Sequence, residues 1–122
     1  MTGESTLFCQ VNTVATGPAD TAKEHVPVIS IQGDAKVGQP LTVTIKVGAV
    51  PHVMENRHFI QFIDLYCGHI YISRVDFTAE LSRPEVSLSI VLHHAGKRTL
   101  RAFSRCNLHG IWEATKEVDV TK

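Results

Sequence analysis

This sequence has few cysteines, no long apolar segment and no excess of charge of either sign. Its three cysteines, Cys9, Cys67 and Cys106, are odd in number and include no Cys-x-x-Cys pair. That pattern argues against a disulfide framework and against a structural zinc knot. No apolar run approaches the roughly 20 residues that a transmembrane helix needs. Twelve basic and twelve acidic residues cancel, so no global field selects nucleic acid or an anionic membrane.

The N-terminus, Met-Thr-Gly-Glu, also lacks the basic start and apolar core of a secretory signal, which predicts a cytoplasmic protein. A length of 122 residues, with 43% hydrophobic and 20% charged residues, suits one globular domain. Residues 1–22, rich in small polar residues, are predicted to form a loosely ordered arm, and residues 23–122 to form the domain. Histidine is unusually frequent, with seven residues in a chain of 122.

Short segments of alternating hydrophobicity begin at residue 26, and no segment shows a sustained helical period. The predicted strands are Val26–Ile31, Leu41–Val47, Phe59–Tyr66, Ile70–Phe77, Val86–Leu92, Lys97–Cys106 and Trp112–Val120. Seven such strands separated by Gly and Pro turns predict an all-β fold, a seven-stranded immunoglobulin-like β-sandwich. A small barrel is the alternative. Because loops at one end of a sandwich converge, residues far apart in sequence can meet there.

Cysteine and histidine are concentrated in the segments that would form such loops. Cys106 and His109 lie three residues apart on the turn into the last strand, where backbone N–H groups can donate to the thiolate. His52 and His58 lie six apart in one loop, and His25 precedes the first strand. A thiolate with several neutral imidazoles is typical of a transition-metal site, whereas calcium and magnesium prefer oxygen. Taken singly, each pair is equally compatible with a buried thiol and solvated loop histidines.

Three segments together carry a more specific pattern. They are His25-Val26-Pro27-Val28-Ile29, then His52 with His58-Phe59-Ile60, and then Cys106-Asn107-Leu108-His109-Gly110-Ile111-Trp112. In order and spacing they resemble the superoxide reductases, the neelaredoxin and desulfoferrodoxin family, over about residues 23–115. The resemblance implies an oxidoreductase that reduces superoxide by one electron to hydrogen peroxide, as a detoxification step in oxidative stress.

The resemblance also implies one mononuclear iron ion per chain, alternating between Fe²⁺ and Fe³⁺. The implied ligands are His25, His52, His58 and His109 in an equatorial plane, with the Cys106 thiolate axial. Implied partners are an electron-donor protein such as a rubredoxin and further copies of the chain, in a homotetramer or homodimer. Because only Cys9 precedes His25, we do not expect the second, four-cysteine iron centre of desulfoferrodoxins.

One motif departs from the family pattern. The family usually carries Glu-Lys before its first ligand histidine, where the Glu caps the oxidised iron and the Lys attracts superoxide. Here the order is Lys23-Glu24-His25, and neighbours in an extended chain point to opposite sides. Lys23 and Glu24 are therefore candidate catalytic residues in exchanged positions. Arg57, directly before His58, is a candidate to replace the lysine in steering superoxide.

Lys97, Arg101 and Arg105 alternate along the strand that leads to the cysteine turn, so they are predicted to share one face. Such a face suits an acidic electron donor, and a solvated strand surface is the alternative.

Two other functions are compatible with the ligand set. A cupredoxin-like electron-transfer protein usually has a weak axial Met shortly after its last histidine, and no Met follows His109. A non-catalytic module with structural zinc prefers four ligands, and this chain offers five. The remaining histidines, His69, His93 and His94, are predicted to lie in exposed turns and match no family ligand.

Overall fold

The computed structural model describes residues 7–122 and places seven strands in two antiparallel sheets. The elements in chain order are α1 (Ala19–His25), β1 (Pro27–Gln32), β2 (Pro40–Val47), β3 (Ile60–Cys67), β4 (Ile70–Asp76), β5 (Glu85–Val91), β6 (Gly96–Cys106) and β7 (Gly110–Val120). One sheet has the strand order β1-β2-β5 and the other β4-β3-β6-β7. The predicted all-β sandwich is confirmed, and each strand begins and ends within two residues of its predicted bounds.

The core lies between the two sheets and follows the alternation of β2. Every second side chain of this strand points inward, as the two-residue period predicts. The inward side chains are at most 3% exposed: Leu41, Val43, Ile45 and Val47. Side chains from the opposite sheet cover them, among them Ile63, Leu65, Leu100 and Ala102. The burial of these apolar surfaces is the main favourable term in folding.

Several chain segments meet at one end of the sandwich. β6 ends at Cys106, which pairs with Ile60 at the start of β3 and with Gly110 at the start of β7. The Ser104 hydroxyl donates to the backbone carbonyl of His25 at 2.9 Å, which ties the end of α1 to β6. The strand register therefore gathers the candidate ligand segments at this end.

Residues 7–22, within the predicted loose arm, pack against the sandwich. Asn12 is 0% exposed and forms a parallel bridge with Trp112. Its side-chain amide donates to the carbonyl of Leu7 at 2.9 Å, and Leu7 itself is buried. The expectation of loose order therefore does not hold for residues 7–22, because these contacts hold the chain in place. The domain boundary stays a prediction, and residues 1–6 lie outside the described part of the chain.

Helix α1 is an element that the sequence analysis did not predict, and it changes the position of His25. His25 precedes the first strand, as predicted, but it does so as the last residue of a helix. Asp20 lies in the first turn and Lys23 in the last, which suits the helix dipole. Seven residues are too few for a clear hydrophobic period.

Over residues 7–122, every helical segment falls short of the length and apolar character that crossing a bilayer demands.

Candidate metal centre

Four imidazole rings meet at the end of the sandwich where β6 ends. Ring centroids are 4.5 Å apart for His25 and His52, and 4.6 Å apart for His52 and His58. His58 and His109 are 5.0 Å apart, and His109 and His25 are 4.7 Å apart. Each ring is tilted by 64–80° to both of its neighbours. The rings therefore enclose a four-sided space, with His25 and His58 facing each other at 6.0 Å.

The thiol of Cys106 lies at the same space. Its sulfur is 3.5 Å from Nδ1 of His109. One potential ligand atom from each of four residues lies within 4.8 Å of all the others, and these residues are His25, His58, Cys106 and His109. Nε2 of His52 is 3.0 Å from Nε2 of His25. The structure thus brings together all five residues that the resemblance implies as ligands.

Backbone carbonyls orient two of the rings. Nδ1 of His25 donates to the carbonyl of Thr21 at 2.7 Å, and Nδ1 of His52 donates to the carbonyl of Val53 at 2.6 Å. A carbonyl oxygen can only accept, so the proton of each neutral ring is on Nδ1 and Nε2 presents a lone pair. Burial lowers the pKa of His25 to about 4 and the pKa of His52 to about 4. Both rings are therefore neutral near pH 7.

This donor set fits a transition-metal ion. Nε2 of His25 and Nε2 of His52 are 3.0 Å apart, and because neither carries a proton their lone pairs repel each other unless one cation binds both. Nε2 of His58 is buried and has no hydrogen-bond partner among the described residues, although buried polar atoms are nearly always paired. Imidazoles with a thiolate suit iron, copper or zinc. A bound cation of this class would use all three nitrogens.

Cys106 combines complete burial with hydrogen-bond donors aimed at its sulfur. Burial raises the pKa of the Cys106 thiol, whereas the backbone N–H groups of Leu108 and His109 and the positive charge of Arg105 lower that pKa. Both amides lie on the turn from which N–H donation was predicted. A metal cation stabilises the thiolate further. The backbone N–H groups of the turn therefore favour the thiolate, which is the form that binds a metal ion.

Trp112 supports two of the candidate ligands. Its indole N–H donates to the carbonyl of His109 at 3.0 Å, and its ring stacks on His25 with centroids 5.4 Å apart. The turn between the cysteine and this tryptophan contains Gly110, whose φ is +78°. A Cβ at Gly110 would lie 2.8 Å from the carbonyl oxygen of Leu7. Glycine is therefore required at position 110, because its φ is positive and because there is no room for a side chain.

The sequence analysis missed Asn12 and Gly17, two residues that hold Trp112. Asn12 pairs with Trp112 through the backbone, and a Cβ added to Gly17 would overlap the Trp112 ring. Asn and Gly are typical turn residues, and this is why the segment was interpreted as loose. The carbonyls of Thr21 and Val53 were also missed, because every residue type has a carbonyl.

Lys23 and Glu24 lie on α1 rather than on an extended chain, so the expectation of opposite directions was wrong. Consecutive helical residues point about 100° apart. Lys23 Nζ is 3.8 Å from an Asp20 carboxylate oxygen, with both side chains exposed. Burial and the neighbouring imidazole lower the pKa of His58, whereas the carboxylates of Glu55 and Glu24 raise that pKa. Glu55 and Glu24 therefore both favour the charged form of His58, while Lys23 is paired with Asp20.

Lys97, Arg101 and Arg105 share the outward face of β6, as predicted, but they have partners. Lys97 lies 3.7 Å from Glu117, Arg101 lies 2.7 Å from Glu113, and Arg105 donates to the side chain of Gln61. Two of the three positive charges on this face are thus balanced by carboxylates of β7.

The histidines that match no ligand are remote from the ring cluster. His69, His93 and His94 are exposed. Together with Cys67 they line a cavity of about 630 Å³ near the start of β6, at the opposite end of this strand from Cys106. The structure therefore separates them from the candidate site.

Comparison with known proteins gives consistent matches. The family model described as Desulfoferrodoxin matches residues 18–115. The chain is 42% identical over 115 residues to a Methanocaldococcus jannaschii protein named "Putative superoxide reductase", covering 93% of this chain and 97% of that one. It is 33% identical over 108 residues to the superoxide reductase of Pyrococcus furiosus, covering 75% and 85%. The structure of a superoxide reductase (neelaredoxin) from Ignicoccus hospitalis aligns with a TM-score of 0.78 at 32% identity, covering 95% of this chain and 97% of that one.

Proposed function

This chain belongs to the desulfoferrodoxin family, and from that premise we propose that it reduces superoxide to hydrogen peroxide at a mononuclear iron. The observation that carries the proposal is the four-sided arrangement of imidazole rings with the Cys106 thiol beside it. Relatives named superoxide reductase support superoxide as the substrate. The enzyme class is an oxidoreductase.

The proposed iron ligands follow from which atoms are available. His25 and His52 would bind through Nε2, because each Nδ1 is engaged with a carbonyl. His58 would bind through Nε2, its buried atom without a hydrogen-bond partner among the described residues. His109 presents Nδ1 next to the sulfur of Cys106. Four neutral imidazoles and one thiolate would leave a net positive charge on a ferrous or ferric site, which attracts a small anion.

A bound ferrous ion supplies the single electron that superoxide takes up in this reaction. Superoxide, one electron and two protons give hydrogen peroxide, and no dioxygen forms. The amides of Leu108 and His109 that donate to Cys106 reduce the electron density of the thiolate and so tune the site. The electron is returned by a donor protein, for which we propose a rubredoxin-like partner. A homotetramer or homodimer and a cytoplasmic location stay predictions.

We assign the acidic role at the site to Glu24. The carboxylates of Glu55 and Glu24 both raise the pKa of His58, and Glu24 is the one that directly precedes a proposed ligand, His25. Lys23 is a weaker candidate for attracting superoxide, because its ammonium group is near Asp20. The proposal therefore keeps both predicted catalytic residues and gives them unequal parts.

The cupredoxin-like and structural-zinc alternatives are less well supported by this geometry. Four converging imidazoles exceed the two histidines of a blue-copper site. Five converging donors also exceed the closed tetrahedron of structural zinc.

The direct test is to measure how much peroxide forms for each superoxide that is consumed. The protein is loaded with Fe²⁺, its metal content is determined, and superoxide is supplied together with an excess of a reductant. We expect one peroxide for each superoxide consumed, since every superoxide receives an electron from outside. A dismutase would give one peroxide for two superoxides and would release dioxygen. The oxidised protein should also be blue from thiolate-to-iron charge transfer and lose this colour on reduction. A colourless protein that retains zinc, or the dismutase ratio, would contradict the proposal.

Arg57 should contribute to the attraction of superoxide, because it is exposed and directly precedes His58. We expect Arg57→Ala to lower the second-order rate constant with superoxide by about threefold at low ionic strength. The difference from the wild type should vanish at high salt, where exposed charges are screened. The measurement is the rate as a function of ionic strength. Lys116→Ala, which removes the same charge from a partly exposed position of β7, is the control. Equal salt slopes for the wild type and R57A would exclude steering by this residue.

A further inference from the structure

His58 differs from two other rings of the cluster in how its direction is set. Carbonyl oxygens of Thr21 and Val53 hold the Nδ1 atoms of His25 and His52. The Nε2 atom of His58 is buried and has no hydrogen-bond partner among residues 7–122. The backbone bonds around residue 58 therefore help to set where the His58 imidazole lies.

Asn107 bonds the backbone on both sides of His58. Its Oδ1 accepts the N–H of Phe59 at 2.9 Å, and its Nδ2 donates to the carbonyl of Arg57 at 3.0 Å. The backbone N–H of Asn107 also donates to the carbonyl of Phe59 at 3.2 Å. Since an N–H only donates and a carbonyl only accepts, these partners define which end of the amide is which. One side chain thus holds the residues directly before and after the histidine.

The backbone groups of His58 itself are bonded within its own loop. The Glu55 N–H donates to the His58 carbonyl at 2.9 Å, and the His58 N–H donates to the Glu55 carbonyl at 3.0 Å. These two bonds set the shape of the loop but do not connect it to the sheet. Asn107 makes that connection, through its backbone N–H to Phe59 and through its side-chain amide to Phe59 and Arg57. The residue before Asn107 is Cys106, the end of β6.

We propose that Asn107 is a positioning residue that fixes the His58 imidazole relative to the Cys106 thiol. The proposal rests on the proposed function, because it takes both residues as metal ligands. One amide couples them: Asn107 is covalently adjacent to Cys106 and hydrogen-bonded to both neighbours of His58. Without this amide the loop keeps its internal bonds and the backbone bond from Asn107 to Phe59, but Arg57 loses its bond to Asn107 and the loop before Phe59 can shift against β6. The metal then loses one well-placed nitrogen, and its affinity falls by about 10–100-fold, as is typical when a group that orients a ligand is removed.

Cobalt(II) alone is the probe for the test, because its thiolate charge-transfer and ligand-field bands report both binding and geometry. Metal-free wild type, N107A and N107Q are titrated with Co²⁺ against a competing chelator, and the melting temperature of each metal-free protein is measured. Gln retains the amide but places it one methylene further out, where it cannot meet both backbone partners. Asn56→Ala is the matched control: Asn56 is in the same loop, but its exposed amide donates to the Glu80 carboxylate.

We expect N107A and N107Q to bind Co²⁺ about 10–100-fold more weakly than the wild type, with shifted bands, and N56A to match the wild type. Wild-type affinity and bands in N107A would overturn the role of Asn107, and so would an equal loss in N56A. If N107A and N107Q do not fold without metal while N56A does, Asn107 serves the fold and the proposal is wrong. A wild type that binds Co²⁺ without a thiolate band would instead refute the ligand set, and with it the proposed function.

Discussion

Cys106→Ser should remove the visible charge-transfer absorption of the iron-loaded protein and lower its superoxide reductase activity by at least about a hundredfold. Substitutions that only disturb the orientation of a ligand already cost about 10–100-fold, and this one removes a ligand. A serine hydroxyl stays protonated near neutral pH and is a hard oxygen donor, whereas the thiolate is a soft one. The measurements are the visible spectrum, the iron content and the rate of superoxide reduction.

The fold should survive this change. Serine is close to cysteine in size, and the amides of Leu108 and His109 that act on the sulfur can donate to its oxygen. Cys67→Ser is the matched control, since Cys67 is a partly buried thiol that lines the cavity at the opposite end of β6. If C67S abolished the absorption and C106S retained it, the assignment of the axial thiolate would be wrong.

Trp112→Ala should lower the free energy of unfolding by about 3–5 kcal/mol, the typical cost of removing a large buried aromatic side chain. Trp112 is 0% exposed and packs with Leu7 and Ala22 in a small second core. In a domain of this size the loss corresponds to a melting temperature lower by roughly 12–20 °C. Metal affinity should fall as well, because the indole contacts both His25 and the carbonyl of His109. Thermal unfolding and metal titration of the same preparation measure both effects.

Leu100→Ala separates a general loss of stability from a specific effect on the site. Leu100 is also 0% exposed but lies in the main core, away from the rings. We expect L100A to be destabilised by about 2–5 kcal/mol and to bind metal with wild-type affinity at a temperature where it is folded. Trp112→Phe should lie between the wild type and W112A, since it keeps an aromatic ring but loses the N–H donor. Equal metal affinity in L100A and W112A would show that the tryptophan acts only through stability.

Most of the sandwich was predictable because its signal is local. A half-buried strand needs a two-residue alternation, and Leu41–Val47 shows it residue by residue. Helix α1 was not predictable by the same means, because seven residues cover only about two turns. Its N-terminal signals, Pro18 followed by Asp20 in the first turn, are individually weak. The segment before the first strand was therefore interpreted as loose.

The candidate ligand residues could be named from residue type and spacing, but the orientation of their side chains could not. Four imidazoles and a thiol were named together from three motifs, and the structure brings them to one place. Which nitrogen of His25 or His52 faces the centre depends on the backbone carbonyls of Thr21 and Val53. Every residue has a backbone carbonyl, so the sequence does not show which carbonyls take this role. The direction of the Lys23-Glu24 pair likewise depended on an unpredicted helix.

The sequence by itself determined the strand pattern, the identity and order of the five donors and the chemistry that such donors favour. These properties depend on residue type and on separations of a few positions. Only the tertiary structure decided that Leu7 and Ala22 pack with Trp112, that Lys23 pairs with Asp20, and that Asn107 bonds the backbone on both sides of His58. Each of these depends on contacts whose geometry is set by the packing of whole elements, and a local pattern carries no information about such packing.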